Sequence, residues 1–125
     1  MSIDNQPAEF RFYYFTNRYE ETVAFYRDQL QLEEMRSWNR PGDKGTIFIS
    51  PNGSGLIEIE EGDELPVITG GGLYIQVDDP DEWYHRAISN NIRVIQPIKD
   101  TAYGHRSFKF EDPNGLVIGL FRYIS

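Results

Sequence analysis

The chain switches between two periodicities, and the order in which they come repeats. Residues 9–15 (EFRFYYF) are rich in aromatic side chains, the composition of a strand on a half-buried sheet. From Tyr19 to Leu30 the positions Tyr19, Val23, Phe25, Tyr26 and Leu30 fall at helix-compatible intervals. Glu20 and Glu21 stand in the first turn, where the positive end of the helix dipole favours them. Strands are predicted over 33–39 and 46–50, joined across the turn signal Arg40-Pro41-Gly42-Asp43. Pro51-Asn52-Gly53 is a second turn, and residues 56–61 (LIEIEE) alternate apolar and acidic as a half-buried strand does. Residues 62–72, with Pro66 and Gly70-Gly71-Gly72, read as a connector. The pattern then restarts. A strand is predicted over 73–77, a helix over 80–90 with Pro80 in its first turn, and strands over 92–97, 106–111 and 116–123.

The halves match at a shift of about 62 residues: Pro51-Asn52-Gly53 falls on Pro113-Asn114-Gly115, Leu30 on Ile92, Leu32 on Val94, and Phe48 on Phe110. Each half reads β-α-β-β-β. The expected class is therefore α+β, with modules over 9–61 and 71–124. A unit of roughly 60 residues buries too little surface to stand alone. The halves are expected to bury their faces against each other or against a second chain.

Composition narrows the chemistry. With 12 Lys plus Arg against 20 Asp plus Glu in 125 residues, the formal net charge is −8. That balance argues against nucleic acid and against an anionic membrane, and permits a cationic small molecule. There is no cysteine, so disulfides, thiolate metal sites and thiol catalysis are excluded. The opening residues MSIDNQPAEFRF have neither a basic nor an apolar leader segment, so a cytoplasmic location is expected. Gly70-Gly71-Gly72 lacks the Lys-Ser/Thr that would follow in a phosphate loop.

Two stretches carry a family resemblance: Phe25-Tyr26-Arg27-Asp28 followed by Leu30, and Tyr103-Gly104 running through Arg106 to Phe110 and Asp112-Pro113-Asn114-Gly115. With the repeat, they make the chain resemble the vicinal oxygen chelate superfamily of glyoxalase I, bleomycin- and fosfomycin-resistance proteins and extradiol dioxygenases. The resemblance implies two β-α-β-β-β modules forming an incomplete barrel around a pocket, usually in a homodimer. It also implies where metal-dependent members keep their ligands, near the start of each module's first strand and on its last. Those places fall on Arg11, Glu58, Gly72 and Gly119, and only Glu58 is a metal donor. No metal and no other cofactor is expected.

Strand alternation sorts the remaining candidates. Phe10, Phe12 and Tyr14 share one face of the first strand; Arg11, Tyr13 and Phe15 share the other, which the resemblance turns to the pocket. Ile57 and Ile59 belong to the helix side, leaving Glu58 and Glu60 inward; the second module contributes Tyr74, Gln76, Gly119, Phe121 and Tyr123. His105, entering a strand at the expected rim, is the one candidate acid or base, without a visible Asp, Ser or Cys partner. His85 is expected on the surface. The predicted ligand-binding set is Arg11, Tyr13, Phe15, Glu58, Glu60, Tyr74, Gln76, His105, Phe121 and Tyr123, with Arg11 and Glu58 ion-paired where the metal would sit.

Aromatic faces with carboxylates suit a planar or cationic small molecule. Three functions fit: a metal-free small-molecule binder; a metal-dependent lyase, isomerase or dioxygenase with an atypical site; and a non-catalytic interaction module.

Overall fold

The computed structural model describes residues 8–124. The first half forms β1 (Arg11–Thr16), α1 (Tyr19–Ala24), β2 (Glu34–Arg40), β3 (Asp43–Ile49) and β4 (Leu56–Glu61). The second forms β5 (Gly72–Gln76), α2 (Pro80–Ser89), β6 (Val94–Asp100), β7 (His105–Glu111) and β8 (Val117–Tyr123). Each half closes a four-stranded sheet, in the orders β1-β4-β3-β2 and β5-β8-β7-β6. The first strand of each half runs parallel to the last, and the other neighbours are antiparallel. Two mixed sheets with a helix apiece, neither closed into a barrel, make this an α+β fold.

The two halves share one core. Tyr14, Phe48, Ile57 and Ile59 of the first sheet and Phe108, Phe110, Ile118 and Leu120 of the second pack in a single buried cluster with the helices. The sheets thus meet through their helix-bearing sides, which resolves the instability of a lone module. Polar contacts fasten the seam. The buried Asp112 carboxylate, in the turn before β8, accepts hydrogen bonds from the hydroxyls of Tyr14 and Tyr26, the latter at 2.8 Å. It also accepts from the amides of Asn114 (2.8 Å) and Leu116 (2.9 Å), which hold its own turn. Burial beside that carboxylate pushes the Tyr14 hydroxyl pKa up.

Local departures from the pattern have local reasons. The helix expected over 19–30 is α-helical only through Ala24; Phe25–Gln29 forms a wider π turn, closed by the Leu30 amide on the Phe25 carbonyl at 2.9 Å. Phe25 and Tyr26, adjacent in sequence, are both buried there. The strand expected from residue 46 begins at Asp43, because Pro41 and Gly42, the latter at φ 74°, turn the chain in two residues and pair Arg40 with Asp43. β6 runs on through the polar Lys99 and Asp100, which the ladder holds opposite Ser107 and Arg106. Among the described residues no helix is long and apolar enough to cross a membrane.

Candidate functional site

On the sheet faces turned away from the shared core lie two separate clusters, and together they hold the candidate residues. In the first sheet β1 alternates as expected: Arg11, Tyr13 and Phe15 point outward, whereas Tyr14 and Thr16 are buried on the helix side. β4 pairs Tyr13 with Glu58 and Phe15 with Glu60, which places both carboxylates on that same outer face. Arg11 Nη1 donates to Glu58 Oε1 at 2.6 Å, the expected ion pair, and its Nε and Nη2 both reach Glu9 Oε2 at 2.8 Å. The bond to Glu58 raises the guanidinium pKa. Among the described residues Glu60 takes no such partner. Hydrogen bonding with Glu58, then burial, push its carboxyl pKa up.

Two first-sheet residues escaped the sequence reading. Trp38 faces Gly45 across β2 and β3, and a methyl group at Gly45 would fall 2.3 Å from the indole. Arg36 lies over the same ring at 5.5 Å. The signal was a lone strand glycine opposite a tryptophan, visible only once the register is known.

In the second sheet His105 is boxed by rings. It stacks on Phe121 at 4.4 Å and meets the edges of Tyr123 at 4.8 Å and Tyr103 at 5.0 Å. Tyr74 lies 5.7 Å from it and 4.7 Å from Phe121. His105 Nδ1 is buried, and among the described residues it has no hydrogen-bond partner. Burial raises the Tyr74 hydroxyl pKa, whereas its contact with Tyr74 lowers that of Tyr103. Tyr103 and Lys109 join this cluster without having been foreseen; Lys109 Nζ lies 5.6 Å from the centre of the Tyr74 ring. Gln76 ends β5, its carbonyl accepting from Asn52 Nδ2 at 2.8 Å, and lines a hollow of about 360 Å³ between the β1 and β5 edges. His85 is exposed on α2.

The structure therefore brings together Arg11, Tyr13, Phe15, Glu58 and Glu60 on one sheet, and Tyr74, His105, Phe121 and Tyr123 on the other. Among the described residues no hydrogen bond, ion pair or ring contact joins the two groups. Large aromatic surface is left open on both: Tyr13 and Tyr123 are each 64% exposed and Phe15 is 50% exposed.

This pairing of β-α-β-β-β modules is shared by known folds. The chain aligns with TioX from Micromonospora sp. ML1 at a TM-score of 0.76 and 17% identity, covering 94% of this chain and 100% of that one. A mutant fosfomycin resistance protein FosX from Listeria monocytogenes, solved with Mn(II) and 1S,2S-dihydroxypropylphosphonic acid, aligns at 0.71 and 21% identity, covering 95% and 92%. A glyoxalase/bleomycin resistance protein/dioxygenase from Alicyclobacillus acidocaldarius aligns at 0.72 and 16%, covering 100% and 96%. No curated protein matches the sequence. The model of the glyoxalase/bleomycin resistance protein/dioxygenase superfamily matches residues 10–120, and the chain belongs to that superfamily.

The residues at the superfamily's ligand positions do not fit a divalent ion. Glu58 is engaged by Arg11 at 2.6 Å, and a guanidinium repels a divalent ion. The second-module positions carry no donor and are crowded: a Cβ at Gly72 would fall 2.6 Å from the Val117 carbonyl oxygen, and one at Gly119 2.3 Å from the Tyr74 ring. Among the described residues no three His, Asp or Glu side chains converge.

Proposed function

We propose that this protein binds an aromatic or cationic small molecule without a metal, on the acidic, aromatic face of its first sheet. The observation that carries the reading is the Arg11–Glu58 ion pair, which engages the one donor at the superfamily's ligand positions, while among the described residues Glu60 belongs to no ion pair. Glu60 would hold the positive charge, while Tyr13, Phe15 and Trp38 supply ring surface for stacking and cation–π contact.

The working unit in this proposal is a homodimer. The second sheet's ring cluster, with Tyr74, His105, Phe121 and Tyr123, would lie over the first sheet of a second copy and turn two open faces into one cavity. The support is the exposed aromatic side chains on both faces, Tyr13 and Phe15 on one and Tyr74 and Tyr123 on the other.

Thermal-shift screening against cationic glycopeptides and planar aromatic cations tests the binding. Stabilisation of the wild-type protein, reduced in Glu60→Gln, is expected; no stabilisation by any of them sinks the reading. Added Ni or Zn should leave the melting temperature unchanged, and a metal-dependent rise would revive a metal-dependent enzyme. Sedimentation should give a dimer at micromolar concentration.

A further inference from the structure

Beside β5 and β8 lies a hollow of about 370 Å³, lined by Gly70, Gly71, Gly72, Tyr74, Lys109 and Gly119 together with Leu73 and Val117. Its one charged lining residue is Lys109, half-buried and opposite Gly119 in the β7–β8 ladder. Among the described residues Lys109 belongs to no ion pair. Glu111, two residues on along the same strand face, is engaged by Arg93 at 3.8 Å. Lys109 Nζ lies 5.6 Å from the centre of the Tyr74 ring, a cation–π contact, and among the described residues no carboxylate pairs with it.

The repeat shows that the fold does not need a cation there. The matching place in the first sheet is Ile47, opposite Glu58 as Lys109 is opposite Gly119, and Ile47 is buried. Where the first sheet sets a carboxylate beside an apolar chain, the second sets an ammonium beside bare backbone. The first-sheet carboxylate has its counter-charge in Arg11, whereas Lys109 has none among the described residues.

From this we infer that the hollow is an anion subsite, in which Lys109 holds the carboxylate of an aromatic acid. A space of about 370 Å³ exceeds a bare oxyanion, and Tyr74 and Val117 give it apolar wall for a ring. The glycine floor lets a planar group approach the main chain, since neither Gly70 nor Gly71 sets a side chain over it. The inference concerns the second sheet, shares Tyr74 with the ring cluster that the proposed dimer lays over the first sheet, and assigns an anion where that reading assigns a cation.

Benzoate, with neutral benzamide as its control, tests this through the amide resonances of Gly70, Gly71, Gly72 and Gly119. Benzoate should shift them saturably and benzamide should not. Lys109→Met should weaken benzoate by about tenfold, the size of a lost charged contact, whereas Lys99→Met should leave it within about twofold. Lys109→Arg keeps the charge and should keep binding, which separates loss of the contact from loss of the fold. No saturable shift with benzoate, an equal response to benzamide, or unchanged affinity in Lys109→Met overturns the inference. Failure here with aromatic cations still binding would leave the first-sheet reading standing.

Discussion

Arg11 Nη1 and Glu58 Oε1 meet at 2.6 Å, tying the parallel strands β1 and β4 together on the face away from the core. The two residues lie 47 apart in sequence, and the contact follows from register: Arg11 stands beside Leu56, so Glu58, two residues on, shares its face. The pair is lopsided, with the Glu58 side chain 11% exposed and that of Arg11 33%.

Its removal should be non-additive. Arg11→Met alone strands Glu58 beside Glu60, two carboxylates with no cation. The double variant Arg11→Met/Glu58→Gln should lose less stability than the sum of the single losses, by about 1 kcal/mol given the partial exposure. Urea unfolding of the four proteins measures it, and strict additivity would show that the pair contributes nothing.

Glu60 should make stability depend on pH. Its folded pKa lies above the unfolded value, so the folded state holds the proton more tightly. That contribution is fully present below the unfolded pKa and is lost as pH rises through the folded pKa. Glu60→Gln removes the loss, so this variant should melt higher than wild type at neutral pH. The gap should close as pH falls below the ordinary carboxylate range. A gap independent of pH would mean that Glu60 stabilises or destabilises by some route other than titration.

Asp112 should prove the costliest polar residue to change. Asp112→Ala leaves two tyrosine hydroxyls and two amides without their acceptor at the seam between the sheets, and should cost about 3 kcal/mol. Tyr14→Phe removes one donor and keeps the acceptor satisfied by the others, so about 1 kcal/mol is expected. Denaturant unfolding ranks the two; an equal or smaller loss for Asp112→Ala contradicts the clamp.

Gly119→Ala should be destabilising by about 1–3 kcal/mol, because its methyl group would sit in the Tyr74 ring. Adding Tyr74→Ala clears that space, so the pair of changes should cost less than the two separately. Thermal melts decide it, and full additivity would place the strain elsewhere.

What the sequence determined is what repeats over a few residues. A two-residue period set Tyr13 and Phe15 against Tyr14 and Thr16, and Glu58 and Glu60 against Ile57 and Ile59, because successive side chains in a strand take opposite faces whatever lies around them. Turn chemistry at Pro41-Gly42 and Asp112-Pro113-Asn114-Gly115, and the match between halves, carried the order of elements in the same way. Tertiary structure decided what depends on register and on which faces meet. Trp38 over Gly45, and Tyr74 over Gly119, need strand pairing before the partner is known. Tyr14 and Tyr26 find Asp112 from 98 and 86 residues away. That the acidic cluster and the ring cluster face apart, rather than into one cavity, follows from the helix sides of both sheets burying against each other. That choice is made by the total apolar area removed from water, which no stretch of sequence contains by itself.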